Sequence, residues 1–153
     1  MHWFIDLFQN PFLMVALSSW FIAQVIKTIL FAVLNKELNW ERLFGDGGMP
    51  SGHSATVSSL ATMSALVYGT GSFQFAVTAV LAIIVCHDAT GVRLETGKQA
   101  ALINEMLRSI DIWTSKELTE VKLKEFVGHT PSQVAVGIFI GVVNAIVMYN
   151  LFY

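Results

Sequence analysis

Of the four histidines in the chain, three stand where apolar segments meet polar ones: His53, His87 and His129. His53 follows Gly47-Gly48-Met49-Pro50-Ser51-Gly52, in which two glycines and a proline forbid a continuous helix up to Pro50 and Ser51-Gly52 opens a new one. The N–H groups at such an opening, together with the positive end of the helix dipole, attract an anion, and a first-turn histidine sets a proton donor beside it. His129 belongs to Gly128-His129-Thr130-Pro131-Ser132-Gln133, again a histidine ahead of a helix start, with Pro131 suited to the first turn. Asp88, Arg93, Lys98, Gln133 and Lys27 gather on the same side of the chain's apolar segments. Two histidines at two helix openings among cations are what phosphoryl transfer needs: a nucleophile, a proton donor for the leaving oxygen, and positive charge for the equatorial oxygens. Taken alone, Pro50-Ser51-Gly52-His53 reads equally well as a plain loop and helix cap. A metal site from His53, His87, His129 and Asp88 has little support, because no pair has a tight ligand spacing such as His-x3-His. No metal or other cofactor is expected.

The elements that must position these residues are membrane helices. The 153 residues are 54% apolar and only 13% charged, with mean hydropathy +0.61, far from a soluble composition. The reading is an all-α, polytopic membrane helical bundle in a single domain, 1–153, with about four transmembrane helices and two short amphipathic interfacial helices. The spans are 11–34, 54–68, 73–87 and 132–153, and the polar loops are 35–52 and 88–130. Lys27, one turn after Gln24, lies inside the first span. It either snorkels its ammonium to the nearer interface or faces a polar site and binds an anion. The second span, with Ser54, Thr56, Ser58, Ser59, Thr62 and Ser64, suits lipid poorly and close packing well, so it is placed at the centre of the bundle. Residues 97–110 set Ala100, Ile103, Leu107 and Ile110 against Lys98, Gln99, Asn104, Glu105 and Arg108, an amphipathic helix on the membrane surface or over the bundle end. A second such helix is expected from the capping box Thr114-Ser115-Lys116-Glu117. Gly137 and Gly141 make a small-xxx-small face for close helix contact, one route to a homodimer. Cys86 reads as a buried inert thiol, and the N-terminus lacks the features of a removable signal peptide.

Lys36 and Arg42 lie in the first polar loop and Arg93, Lys98, Arg108, Lys116, Lys122 and Lys124 in the second, while the N-terminal segment, residues 69–72 and the C-terminus have no Lys or Arg. The positive-inside rule places both polar loops in the cytoplasm and both termini outside, in an integral protein of the cell membrane.

Met49-Pro50-Ser51-Gly52-His53-Ser54 resembles the Pro-Ser-Gly-His signature of the type-2 phosphatidic acid phosphatase and vanadium haloperoxidase superfamily, and His129 to Gly137 resembles its later His-x-x-x-Asp motif. The wording of Gly47 to Ala55, Asp88 to Arg93, Gly97 to Ala100 and Gly128 to Pro131 is closest to a divergent branch of integral membrane proteins called acid phosphatase related. The resemblance covers roughly residues 20 to 141. It implies that His129 attacks phosphorus to form a phosphohistidine and that His53 protonates the leaving alcohol. It also implies that Ser51 and Gly52 hold phosphate oxygens and that Lys27 stands for the lysine of the first motif. The chain departs from the pattern at three places. Leu34 and Leu123 stand where the superfamily has arginines, and Gln133 where it has the aspartate that orients the nucleophile. Arg93 and Lys98, with Arg42 a weaker candidate, are the cations expected to replace the arginines, and Asp88 the carboxylate expected to replace the aspartate. Gln133 can still accept the ring N–H and fix the tautomer, without stabilising the imidazolium as a carboxylate does. The resemblance therefore implies a membrane phosphatase for a lipid phosphomonoester or diphosphate, partnered by the lipid bilayer and by no nucleic acid. The alternative is a non-catalytic membrane protein that keeps the fold and binds an anionic lipid or phosphate.

Overall fold

The computed structural model describes residues 3–36, 47–111, 123 and 127–153. These residues form six helices in chain order: α1 (Trp3–Phe8), α2 (Pro11–Asn35), α3 (Gly52–Tyr68), α4 (Phe73–Thr90), α5 (Val92–Asp111) and α6 (Pro131–Phe152). The second interfacial helix expected after Thr114, and Arg42, lie outside the described residues.

Local chemistry sets the helix ends. The Asn10 side chain accepts from the N–H groups of Phe12 and Leu13 at 3.0 and 3.2 Å and so caps α2, with Pro11 in its first turn. Ser72 caps α4 through Phe75 N–H at 3.2 Å. Phe12 at the start of α2 stacks on Tyr68 at the end of α3, ring centroids 5.3 Å apart, so the two helices run antiparallel. Near this end a core of Val15, Met63 and Ala145 packs with Phe12, Val67, Met148 and Tyr149.

α3 is the central element, packed against α2, α4 and α6. Its hydroxyls are satisfied internally: Ser58, Thr62 and Ser64 donate to carbonyls four residues back, at 2.6, 2.8 and 2.9 Å, and Ser59 donates to Thr56 O at 2.8 Å. Small side chains with their polar groups already paired let neighbouring helices approach closely. α6 approaches most closely. A Cβ on Gly137 would lie 2.4 Å from Ser51 O, and one on Gly141 would lie 2.4 Å from Ala55 O. The glycine face that offered a route to a homodimer is thus occupied by α3 of the same chain. Asn144 on α6 joins α2 by donating to Ser18 Oγ and Ser19 Oγ at 2.9 and 2.8 Å.

The outer faces of α2, α4 and α6 are apolar. Phe21, Val33 and Leu34 on α2, Val80 and Ile83 on α4, and Phe139 and Val147 on α6 are exposed, the arrangement of a bundle solvated by lipid. Three helical stretches, Pro11–Asn35, Phe73–Ser109 and Pro131–Phe152, are long and apolar enough to cross a membrane. α3, at 17 residues and rich in hydroxyls, is enclosed by them.

α5 begins at Val92, five residues before the expected start, because the chain breaks at Gly91 and helix resumes at once. Its protein-facing stripe is Gly97, Ala100 and Asn104, leaving Ile103 exposed. Asn104 turns inward because its amide pairs with the backbone of Leu123, donating to its carbonyl at 2.9 Å and accepting its N–H at 3.0 Å.

Candidate functional site

The two histidine-bearing loops meet at the end of the bundle where α3 and α6 begin. Gly47 and Gly48 hold φ of +79° and +83°, a backbone available to glycine without strain, and turn the Gly48 carbonyl toward His129 Nδ1 at 3.1 Å. Ser51 N–H donates to Gln133 O at 3.1 Å, tying this loop to the first turn of α6, and His129 N–H donates to Ala89 O at 2.9 Å, tying the other loop to the end of α4. Gly128 is required twice over: its φ is +92°, and a Cβ there would lie 2.3 Å from Leu94 N at the start of α5. The result is a nearly buried His129, 3% exposed, whose ring centroid is 6.4 Å from that of His53. His53 is exposed in the first turn of α3.

The surroundings of His129 determine where its proton is. Both groups at Nδ1, Gly48 O at 3.1 Å and Gln133 Oε1 at 3.3 Å, are acceptors, so Nδ1 carries the hydrogen and Nε2 the lone pair of the neutral ring. Burial, then the charge of Lys27, pull its pKa below the ordinary 6.5, against the raising effect of the Gln133 and Gly48 hydrogen bonds. The ring is therefore a neutral base with its lone pair at Nε2.

Gln133 is shared. Its Oε1 also accepts from Thr130 N–H at 3.1 Å while Thr130 Oγ1 accepts from Gln133 N–H, a capping box that opens α6. The Thr-x-x-Gln spacing that announces this box was open to a sequence reading. Lys27 is 6% exposed, with Cγ and Cδ each 3.7 Å from where a Cβ on Gly48 would stand. Its stem therefore runs beside the loop that holds His129. Ser51 is fully buried, its N–H donated to Gln133 and its hydroxyl accepting from Ser54 Oγ at 2.9 Å as the cap of α3. Its N–H, its carbonyl and its hydroxyl oxygen as acceptor all serve the scaffold. Ser54 N–H goes to that cap and Ala55 N–H to Ser51 O, so the N–H groups at the helix opening that remain for a ligand are those of Gly52 and His53.

The other expected members make no side-chain hydrogen bond to this cluster. Asp88 pairs with Arg93 at 2.5 Å across the α4–α5 corner, so its hydrogen bond goes to that guanidinium and not to His129. Lys98 forms an exposed pair with Glu95 on α5 at 2.7 Å. His87 is exposed in the last turn of α4. Arg93 borders the site through its backbone, which packs against Gly128. Among the described residues no group of three or more His, Cys, Asp or Glu could hold a metal ion. Asn104, which anchors the segment leading to His129, escaped the sequence reading. In the sequence it stands among the polar residues of an amphipathic helix, beside Glu105, with nothing to mark it out.

A family model described as "Divergent PAP2 family" matches residues 8–144. The chain is 35% identical over 156 residues to the "Uncharacterized membrane protein YuiD" of Bacillus subtilis (strain 168), a match covering 96% of this chain and 99% of that protein. No solved structure matches.

Proposed function

Because the chain belongs to the divergent PAP2 family, we propose that it is a membrane phosphatase hydrolysing a lipid phosphomonoester or diphosphate through a phosphohistidine. The observation that carries this reading is a buried neutral His129, its hydrogen held at Nδ1, with an exposed His53 across 6.4 Å between ring centroids. His129 Nε2 attacks phosphorus, the bond from phosphorus to the leaving oxygen breaks, and His53 gives that oxygen its proton. Water then attacks the phosphohistidine with His53 as base, releasing phosphate and restoring His129. Lys27 and the Gly52 and His53 N–H groups hold the phosphoryl oxygens. Ser51 shapes that opening from behind. Gln133 fixes the tautomer. Arg93 exchanges Asp88 for the incoming headgroup, and Lys98 adds to the positive field on the approach. The polar loops 35–52 and 88–130 face the cytoplasm, so the headgroup is drawn from that leaflet.

The test is phosphate release from lipid phosphates by the purified protein. His129→Ala and His53→Ala are both expected to lose at least about a hundredfold, and vanadate to inhibit. Activity that survives both substitutions overturns the mechanism. A second reading, binding of an anionic lipid or phosphate without turnover, is favoured by one observation. The side-chain acceptor at His129 is a neutral amide, and the Asp88 carboxylate is paired elsewhere. Wild-type protein that binds phosphate but never releases it from a lipid would decide for that reading.

A further inference from the structure

Gln24 lies on α2 one turn before Lys27 and is 5% exposed. Its Oε1 is buried with no hydrogen-bond partner, the one such side-chain atom among the described residues. Its Cδ is 3.9 Å from where a Cβ on Gly52 would stand, and Trp20 Cδ1 is 3.3 Å from the same point. The amide therefore rests against the first residue of α3, at the opening whose N–H groups the cap leaves for a ligand. An unsatisfied amide in a helix bundle is unfavourable, and leucine would fill the same space without that penalty. The two ends of a glutamine amide have nearly the same shape, and the partner decides which one faces it. A half-turn about Cγ–Cδ puts an N–H where Oε1 now stands.

We propose that Gln24 is a further ligand-contacting residue, its side-chain amide donating a hydrogen bond to a phosphate oxygen bound between the opening of α3, Lys27 and the two histidines. The assignment rests on the phosphate-site reading above and adds a neutral donor, which holds an anion's oxygen in place without adding charge. It also explains why an amide is kept where no protein group uses it.

The experiment compares full-length wild type, Gln24→Leu and Gln24→Glu in detergent. Three quantities are measured: affinity for inorganic phosphate by calorimetry, KM and kcat on phosphatidic acid in phosphatidylcholine vesicles, and the melting temperature without ligand. Loss of one hydrogen bond to a charged ligand predicts about tenfold weaker phosphate binding for Gln24→Leu and a similar rise in KM. Its melting temperature should equal or exceed that of wild type, because an orphaned amide has been removed, whereas a purely structural glutamine would lower it. Gln24→Glu keeps the shape but replaces the donor with an anion, and is expected to lose measurable phosphate binding. Wild-type affinity in Gln24→Leu overturns the Gln24 assignment and leaves the phosphatase reading standing. Phosphate binding without turnover in the wild type overturns the phosphatase reading, while the affinities still decide Gln24. Absence of both phosphate binding and turnover in the wild type overturns both, and where turnover occurs without measurable phosphate binding, an unchanged KM in Gln24→Leu overturns the Gln24 assignment alone.

Discussion

His129 is held by acceptors at one ring nitrogen and left with a lone pair at the other, and that asymmetry gives it a defined pH dependence. With the folded pKa below 6.5, the unfolded chain binds more protons than the native one between the two values. The contribution to stability is then full above pH 6.5 and lost as pH falls through the folded pKa. Melting temperatures at pH 5 and 7.5 should differ in wild type, and the difference should shrink in His129→Gln. For the same reason the acid limb of kcat/KM is expected below pH 6.5. Gln133→Glu keeps the capping box but sets a carboxylate at Nδ1, so it should move that limb upward with little change in melting temperature. Gln133→Leu removes both roles and should cost about 1–2 kcal/mol of stability in thermal unfolding. Of these residues the two histidines were legible from helix-breaking and helix-opening chemistry around them. The double use of Gln133 was not, because the capping box and the ring contact depend on one oxygen reaching two donors.

Between elements, the decisive contact is that of α6 on α3. Gly141→Ala puts a methyl group 2.4 Å from Ala55 O and 2.2 Å from Ser58 Oγ, and overpacking of that kind costs about 1–3 kcal/mol. Unfolding followed by tryptophan fluorescence in mild detergent should read it. Gly137→Ala meets Ser51 O, which belongs to the loop carrying the site, so it should lower phosphate release as well as stability. Asn144→Leu removes the amide that joins α2 to α6 and should cost about 0.6 kcal/mol, at most 1–2, since interhelical hydrogen bonds in membranes are modest. The glycine spacing announced close contact, but a repeat of small residues is equally suited to a helix of the same chain or of another. Only the rotation of α6 about its axis assigns it to α3. The same reason hid the inner face of α5, where Asn104 turns inward because Leu123 offers a peptide to pair with.

For the whole molecule, the charge asymmetry of the loops is a statement about orientation that labelling can check. In a Cys86→Ala background, a membrane-impermeant maleimide should label Thr70→Cys in intact cells and Lys98→Cys only after permeabilisation. The reverse pattern would place the two-histidine site on the outer face. What the sequence determined by itself is the membrane class, four of the six described helices to within three residues with a fifth that starts five residues early, and the two histidine loops. Hydropathy, caps and helix breakers act over a few neighbouring residues and can be read along the chain. Pairing across the fold cannot. Gly48 and His129 are 81 residues apart, and it took the tertiary structure to bring one carbonyl to the other's ring. The same packing gave Asp88 to Arg93, filled the glycine face of α6 with α3, and left the amide of Gln24 against the opening of α3. These outcomes depend on how each helix is rotated and how closely it approaches its neighbours, and both are settled by all the packed side chains together.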